Sequence, residues 1–296
     1  MGMEEKRDIG FTGISASDRR RFDKDKAYQR FLTRTGKAGE WTGRKKTGRI
    51  VWQSAAAIAV LIMVSYASFI QGGKNRDIQY AEIQVEAPWG SQVKTVLPDG
   101  TLVWLNADSK LTYSQAFGVD ERKVYLSGEG YFEVTRNEKL PFNVQTDGLQ
   151  VNVHGTKFNL RNYSGDREAT VHLFEGKVSV DNYLRPDEGI AIDPNQKIFL
   201  DKKNGNMRLT QVKANNFAKW TSGNLYFDEE LISDIAKDLE RSYDVNIIIH
   251  PDLENARFYG SFIRKELSIR DVLDRLASTG KMKYSMTGNE IVLSAK

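Results

Sequence analysis

From Ile50 to Ile70 the chain runs through 21 residues without a charge, IVWQSAAAIAVLIMVSYASFI. At about 1.5 Å of rise per residue, such a run makes a helix about 31 Å long, close to the hydrocarbon thickness of a bilayer. Trp52 and Tyr66 fall near its two ends, where interfacial aromatic side chains are favoured. The run therefore predicts a membrane-spanning helix over Ile50–Ile70. Two other readings fit less well. A secretory signal has an apolar stretch of about 7 to 15 residues close to the start, whereas 49 residues precede this one, although Ser65-x-Ala67 faintly resembles a cleavage site. A buried helix of a soluble core seldom goes 21 residues without a charge. One helix makes no pore, and the run holds no ionisable group for a proton or ion path. What such a chain can carry across a membrane is information.

Charge sets the expected orientation. Arg44, Lys45, Lys46 and Arg49 stand directly before the run. Residues 1–49 hold 14 Lys and Arg against 7 Asp and Glu, while the rest of the chain holds 29 against 32. Basic flanks stay on the cytoplasmic side of a span. The N-terminus is thus expected inside, and residues 71–296 outside, which is enough chain for one or two domains with their own cores.

Several function classes are excluded or unsupported. The chain has no cysteine, so it has no disulfides, thiol catalysis or thiolate metal site. His154, His172 and His250 are too scattered for zinc spacings. There is no HExxH, GxSxG, Walker loop or GxGxxG. None of these patterns points to a cofactor or a metal, and none is expected.

Within residues 1–49, the segment from Ser17 to Arg34 reads as a short helix that Asp23 can cap, with Tyr28, Phe31 and Leu32 on one face at i, i+3 and i+4. So few apolar groups cannot build a core. The segment is either a solvated arm held near anionic lipid or a peptide that orders on a partner with those three residues as anchors. Asp18, Asp23 and Asp25 interrupt its basic charge, which argues against direct nucleic-acid binding.

After a polar linker, residues 71–86, the texture becomes β. Val93–Leu97 and Thr101–Leu105 flank Pro98-Asp99-Gly100, a strong hairpin signal. Short strands are expected at Lys123–Leu126, Tyr131–Val134, Phe142–Val144, Leu149–Val153, Phe158–Leu160, Ala169–Leu173 and Lys177–Val180, with no helical period between Glu86 and Tyr183. This pattern argues for a sandwich or rolled sheet over residues 87–215, to which the turn-rich stretch Asp193–Val212 can add strands.

The motifs in this region resemble the FecR family of membrane-spanning sigma-factor regulators, in the form common in Bacteroidetes. The resemblance is carried by Pro88-Trp89-Gly90-Ser91, Leu97-Pro98-Asp99-Gly100-Thr101 with Trp104-Leu105-Asn106, and Leu126-Ser127-Gly128-Glu129-Gly130-Tyr131-Phe132-Glu133-Val134. Pro141-Phe142-x-Val144, Gly155-Thr156-x-Phe158-Asn159 and Glu175-Gly176-Lys177-Val178 complete it. His154 departs from the aliphatic residue usual before Gly-Thr. The same residues have a plain structural account, in which the glycines permit turns and Tyr131, Phe132 and Phe158 belong to a core. Glu129 and Glu133 are taken as ordinary charged positions of a strand rather than a glycosidase pair.

From Lys219 the texture changes again. A strand Asn224–Phe227 leads to a helix capped by Asp228, with an apolar stripe Leu231, Ile232, Ile235, Ala236, Leu239 and Tyr243. Strands Val245–Ile249 and Arg257–Ile263 follow. Ser268 then opens a second helix with Asp271 at the capping-box position, Ile269, Val272, Leu273 and Leu276 as its stripe, and Gly280 as its stop. Lys283–Met286 and Ile291–Leu293 pair around Thr287-Gly288-Asn289. The order β-α-β-β-α-β-β gives a two-layer α+β domain over residues 219–296. It resembles the C-terminal module of Bacteroidetes FecR-like proteins, itself similar to the short N-terminal domain of secretins and TonB-dependent transducers. Trp220-x-x-Gly223-x-Leu225-x-Phe227 carries that match. Such modules dock partners, for instance at a free strand edge, unless charges such as Arg257, Arg264 and Lys265 blunt it.

The resemblance implies an anti-sigma factor or sigma regulator in the bacterial inner membrane, a scaffold and not an enzyme. Its periplasmic domains would contact the signalling domain of an outer-membrane TonB-dependent receptor, and its cytoplasmic segment would control an extracytoplasmic-function (ECF) sigma factor through Tyr28, Phe31 and Leu32. In relatives the relay often involves proteolysis ending inside the membrane, which Ser65, Ala67 and Ser68 would ease. Relatives also carry a longer cytoplasmic helical domain than the 49 residues found here, so either the start is truncated or the sigma contact is reduced to one helix. The rival from another class is a membrane-anchored periplasmic carbohydrate-binding β protein, with Trp89, Trp104, Tyr131 and Phe132 as stacking faces. Buried rings would favour the first reading and a groove of exposed rings the second.

Overall fold

The computed structural model describes residues 24–35, 57–68, 80–186, 188–212 and 219–296. Two compact units divide the chain at Asp77. In the first, α1 (Lys24–Thr35) carries Tyr28, Phe31 and Leu32 on one exposed face. Residues 57–68 form a second helix, α2, exposed throughout. Among the described residues no helix is long and apolar enough to cross a membrane. Ile50, Trp52 and Ile70, the basic flank Arg44, Lys45, Lys46 and Arg49, and the expected cap Asp23 lie outside the described residues.

The second unit opens with a 13-stranded sheet that curls into a half-barrel. Its central strand, β5 (Arg122–Glu133), is 12 residues long and belongs to both halves. The first part of β5 pairs with β4 (Ser109–Ser114) and, in parallel, with β6 (Phe142–Thr146). The second part pairs with β3 (Leu102–Leu105) and β8 (Lys157–Asn162). On one side β1 (Glu82–Ala87), β7 (Leu149–Val153), β10 (Val178–Asn182) and β11 (Ile190–Ile192) extend the first half. On the other, β2 (Val93–Val96), β9 (Glu168–Glu175), β12 (Gln196–Asp201) and β13 (Met207–Gln211) extend the second. The stretch 193–212 thus does add strands to this domain.

Ser127-Gly128-Glu129-Gly130, expected as a break between two strands, lies instead within β5. The glycines bend the strand rather than end it. Gly128 has φ +100°, and a Cβ there would come within 2.4 Å of the Ser109 hydroxyl and 2.8 Å of the Asp108 carbonyl oxygen. Only a residue without a side chain lets β5 pass this close to β4 as it changes layers. Alternation along the strands then turns one face of each half inward. Leu111, Leu126, Val144 and Phe142 from the first half meet Val103, Phe132, Phe158 and Leu173 from the second in one core. Phe132 stacks on Phe158 at 5.0 Å and reaches Phe142 at 6.1 Å. Each such ring removed from water contributes about 1.5–3 kcal/mol.

The C-terminal region follows the order expected for it: β14 (Asn224–Leu231), α3 (Ile232–Tyr243), β15 (Asn246–Ile249), β16 (Arg257–Ile263), α4 (Ile269–Ala277), β17 (Met282–Thr287) and β18 (Glu290–Ala295). β14 pairs with β16, and β18 lies between β15 and β17. The stripes of α3 (Ile232, Ile235, Ala236, Leu239) and α4 (Val272, Leu273, Leu276) are buried against these strands in a separate core. The capping box of Ser268 and Asp271 is formed. Asp228 does not cap α3. Strand β14 continues past it through an irregularity between Phe227 and Glu230, with Glu229 at φ 56°, and the helix starts after Leu231 without a side-chain cap.

Candidate functional site at the domain junction

Glu129 reads in sequence as an ordinary charged strand position, yet it is buried at 6 % exposure. The bend at Gly128 turns its carboxylate inward, where it accepts hydrogen bonds from Asn106 Nδ2 and Asn159 Nδ2, each at 2.9 Å. Its backbone N–H donates to Ser109 Oγ at 2.9 Å. A buried carboxylate is tolerable only when its lone pairs are used in this way. Three motifs distant in sequence, Trp104-Leu105-Asn106, the glycine-rich stretch and Phe158-Asn159, thus converge on one acid. Asn159 Oδ1 in turn accepts from the indole Nε1 of the buried Trp220 at 3.1 Å. Trp220 opens the C-terminal region, so the chain of hydrogen bonds crosses from one domain to the other.

Beside this chain lies a cluster of charges contributed by both domains. Arg161, near the end of β8, makes a two-pronged contact with Asp238 of α3 at 2.8 and 3.2 Å. It also meets Asp166 at 3.0 Å and Glu129 at 3.7 Å. Arg241, one turn beyond Asp238 on the same helix, reaches Asp238 at 2.7 Å and Asp166 at 3.4 Å. Lys237 adds a contact to Asp166 at 3.5 Å and donates to the Gly165 carbonyl at 3.0 Å. The Tyr163 ring lies against both guanidinium groups, 5.2 Å from Arg161 and 3.9 Å from Arg241. On the other side of α3, the Gly90 N–H donates to the Arg241 carbonyl at 2.7 Å, and Arg264 donates to the Gly90 carbonyl.

The electrostatics favour the charged forms of Arg161, Asp238 and Arg241. Burial alone would lower the pKa of Arg161, but Asp238, Glu129 and Asp166 outweigh it and hold the guanidinium well above its ordinary range. Burial would raise Asp238, yet Arg161 and Arg241 keep its carboxylate below the usual range. Glu230, half-buried on β14, is the exception: burial and then Asp238 push it up to about 7. Ion pairs of this kind add little net stability over apolar packing, because desolvation offsets the attraction. What they fix is geometry, since a misplaced α3 would strand buried charges. Chemically the cluster offers no activated nucleophile; its capacity is to hold two domains in one register.

A second motif also has a structural role. Asp99 of the Pro-Asp-Gly turn accepts from the Thr101 N–H at 2.9 Å and hydroxyl at 2.8 Å, and pairs with Arg122 at 3.0 Å. The Arg122 side chain is 2 % exposed and also donates to the carbonyls of Thr135 and Leu140. The turn is thus tied to the first residue of β5.

The four rings considered for sugar stacking do not form one platform. Phe132 is wholly internal. Trp104 and Tyr131 are half-buried and meet edge to face at 5.4 Å, with Tyr131 also edge-on to Phe174. Trp89 alone is largely exposed, at 44 %. His154 points to solvent rather than to the core. Among the described residues no three His, Asp or Glu side chains gather as a metal site. Tyr28, Phe31 and Leu32 are 62 %, 64 % and 48 % exposed on α1, and Tyr66 is exposed on α2. Arg161, Asp166, Asp238 and Arg241 were not singled out in the sequence. The only local trace of the cluster is the i, i+3 spacing of Asp238 and Arg241 on α3.

Residues 83–179 match the family described as FecR protein, and residues 224–293 match the one described as FecR, C-terminal. Two crystal structures of a protein described as a "putative anti-sigma factor" from Parabacteroides distasonis are similar to this chain. One is 31 % identical, covers 73 % of this chain and 100 % of its own, and superposes with a TM-score of 0.67. The other is 32 % identical over 72 % of this chain and 99 % of its own, with the same TM-score of 0.67. No curated protein matches the chain.

Proposed function

The chain belongs to the FecR family of non-enzymatic anti-sigma factors, and we propose that it works as a single-pass sigma regulator of the bacterial inner membrane. In this reading Ile50–Ile70 spans the bilayer, with the basic flank at Arg44–Arg49 inside and both structured domains in the periplasm. The periplasmic part receives the signalling domain of an outer-membrane TonB-dependent receptor. The cytoplasmic segment holds an ECF sigma factor, with Tyr28, Phe31 and Leu32 as anchors, and an intramembrane protease is a further partner in its release.

The observation that carries the reading is the pairing of both FecR modules in one chain, together with its similarity to a crystal structure described as a "putative anti-sigma factor", which it covers over its whole length. The junction supports a relay. Arg161, Asp166, Asp238 and Arg241 bind the two modules together, so a force on either reaches the other without loss in a flexible hinge. The exposed apolar face of α1 supports a partner there, because three large side chains left in water at i, i+3 and i+4 suit docking into a groove.

The test is capture of ECF sigma factors of the same cell by the full-length chain in detergent. The wild type should retain one with a Kd of about 1 μM or tighter, roughly −8 kcal/mol. Replacing Tyr28, Phe31 and Leu32 together by Ala should weaken capture at least about tenfold, or about 1.4 kcal/mol. No capture at micromolar concentrations would sink the anti-sigma reading, and undiminished capture by the triple variant would remove α1 from the contact.

A further inference from the structure

A cleft of about 420 Å³ opens between the half-barrel and the C-terminal region, lined on one side by Gln92, Lys94 and Trp104 and on the other by Gly223, Arg264 and Lys265. Three of its lining side chains are cations and none is acidic. This sets it apart from the nearby junction, where Arg161, Arg241 and Lys237 are all paired with carboxylates. The Lys94 ammonium instead lies 4.5 Å above the Trp104 ring, and the Arg264 guanidinium donates to the Gly90 carbonyl. Among the described residues, a ring face and a neutral carbonyl leave the positive charge of the cleft uncompensated.

The cations are held in place from both domains. Lys94 is on β2, opposite Trp104 in the β2–β3 register. Arg264 and Lys265 follow β16, and the Arg264 N–H donates to the Gly223 carbonyl at 2.9 Å. Gly223 has φ +86°, and the Lys265 stem lies across it, 3.3–3.5 Å from where a Cβ would stand. The absent side chain gives that stem its bed. The border of the cleft is also an open ladder. Among the described residues β2 pairs with β3 alone, so its second edge presents backbone donors and acceptors that no described strand uses. The exposed side chains of Lys94 and Val96 (59 %) alternate with half-buried Val93 and Thr95 along it.

We propose that this cleft docks an extended acidic segment of a partner protein, laid along the free edge of β2 with its carboxylates against Lys94, Arg264 and Lys265. Strand addition supplies sequence-independent hydrogen bonds, and the cations select for acidic side chains at alternate positions. Because the cleft is walled by both domains, its occupant reads their joint arrangement and not either surface alone. The inference deepens the relay described above and rests on it only for the identity of the partner; its chemistry rests on the cleft. Sigma-factor capture reads the other end of the chain, so either experiment can fail alone.

The probe is a fluorescein-labelled peptide of alternating Glu and Val, titrated with the full-length chain and followed by fluorescence anisotropy. Saturable binding should appear at low ionic strength and weaken steeply with added salt. Lys94 and Lys265 are exposed, so reversing their charge leaves the fold intact. The double variant Lys94→Glu, Lys265→Glu should lose at least tenfold in affinity, and Lys139→Glu, outside the cleft, should change nothing. Absence of binding, or equal affinity in the double variant, overturns the proposal. Displacement of the peptide by inorganic phosphate at equal concentration overturns it too, because the cleft would then be a small-anion site.

Discussion

Asp238→Ala is the sharpest probe of the junction. The change removes the carboxylate that accepts from Arg161 at 2.8 and 3.2 Å and from Arg241 at 2.7 Å, in a site where the Asp238 side chain is 19 % exposed. Removing one partner of a buried ion pair costs about 3–5 kcal/mol, largely because the remaining charge stays buried. Here both arginines keep a second acid, since Asp166 lies 3.0 Å from Arg161 and 3.4 Å from Arg241. The expected cost is therefore at the lower end, about 3 kcal/mol. In a folded unit of this size that corresponds to a fall in Tm of about 6–12 °C. The assay is urea or thermal unfolding of the full-length chain, completed as a cycle with Arg161→Met and the double variant. Arg161→Met strands Asp238 less severely, because Arg241 remains. The double variant should cost less than the sum of the singles, with a coupling of at least about 1 kcal/mol. Single effects under about 0.5 kcal/mol, or strict additivity, would refute the claim that the cluster joins the domains.

Two further outcomes follow from buried ionisable groups. Burial, then Asp238, lifts Glu230 from 4.5 to about 7, while burial, then Lys197, depresses His172 from 6.5 to about 4. Between these limits the unfolded chain loses the Glu230 proton first as pH rises, so that term costs stability; the unfolded chain takes up the His172 proton first as pH falls, so that term costs stability on acidification. The two slopes oppose each other, so Glu230→Gln should expose a loss of about 3 kcal/mol toward acid and His172→Gln an equal gain, read as urea midpoints across the range; parallel profiles for all three proteins would refute the assignment. Asp99→Asn can keep the bond from the Thr101 N–H through its remaining oxygen but leaves the Arg122 charge buried without a counter-ion, lowering stability by about 3 kcal/mol in the same assay, with a change under about 1 kcal/mol counting against it.

How far the sequence reveals this molecule depends on the distance over which each interaction acts. Elements decided by near neighbours were legible: the Pro98-Asp99-Gly100 hairpin, the stripes of α3 and α4, and the capping box of Ser268 and Asp271. Local signals misled where tertiary contact overruled them. Gly128 and Gly130 read as punctuation, yet their lack of side chains lets β5 bend from one half of the sheet into the other. Asp228 has the chemistry of a cap, but pairing of Glu230 and Leu231 with β16 carries the strand past it. The charge cluster left almost no trace, since Arg161 and Asp238 are 77 residues apart and each looks like surface charge in its own window.

The motifs quoted for the family resemblance therefore mean more than a fold label. Asp99, Asn106, Glu129 and Asn159 are polar residues of these motifs, and each is spent on a buried partner rather than on solvent. Asn159 is the decisive case. It gives one hydrogen bond to Glu129 inside the half-barrel and takes one from Trp220 at the entry to the C-terminal region. An aliphatic residue there would pack as well against Trp220 but would leave the indole N–H and the Glu129 carboxylate short of a partner, at about 1–3 kcal/mol for each unsatisfied group. A chain that needed only two stable domains would have no use for such an arrangement. The hydrogen-bond chain from Glu129 through Asn159 to Trp220 sits where the two domains meet, and it fixes how one is set against the other.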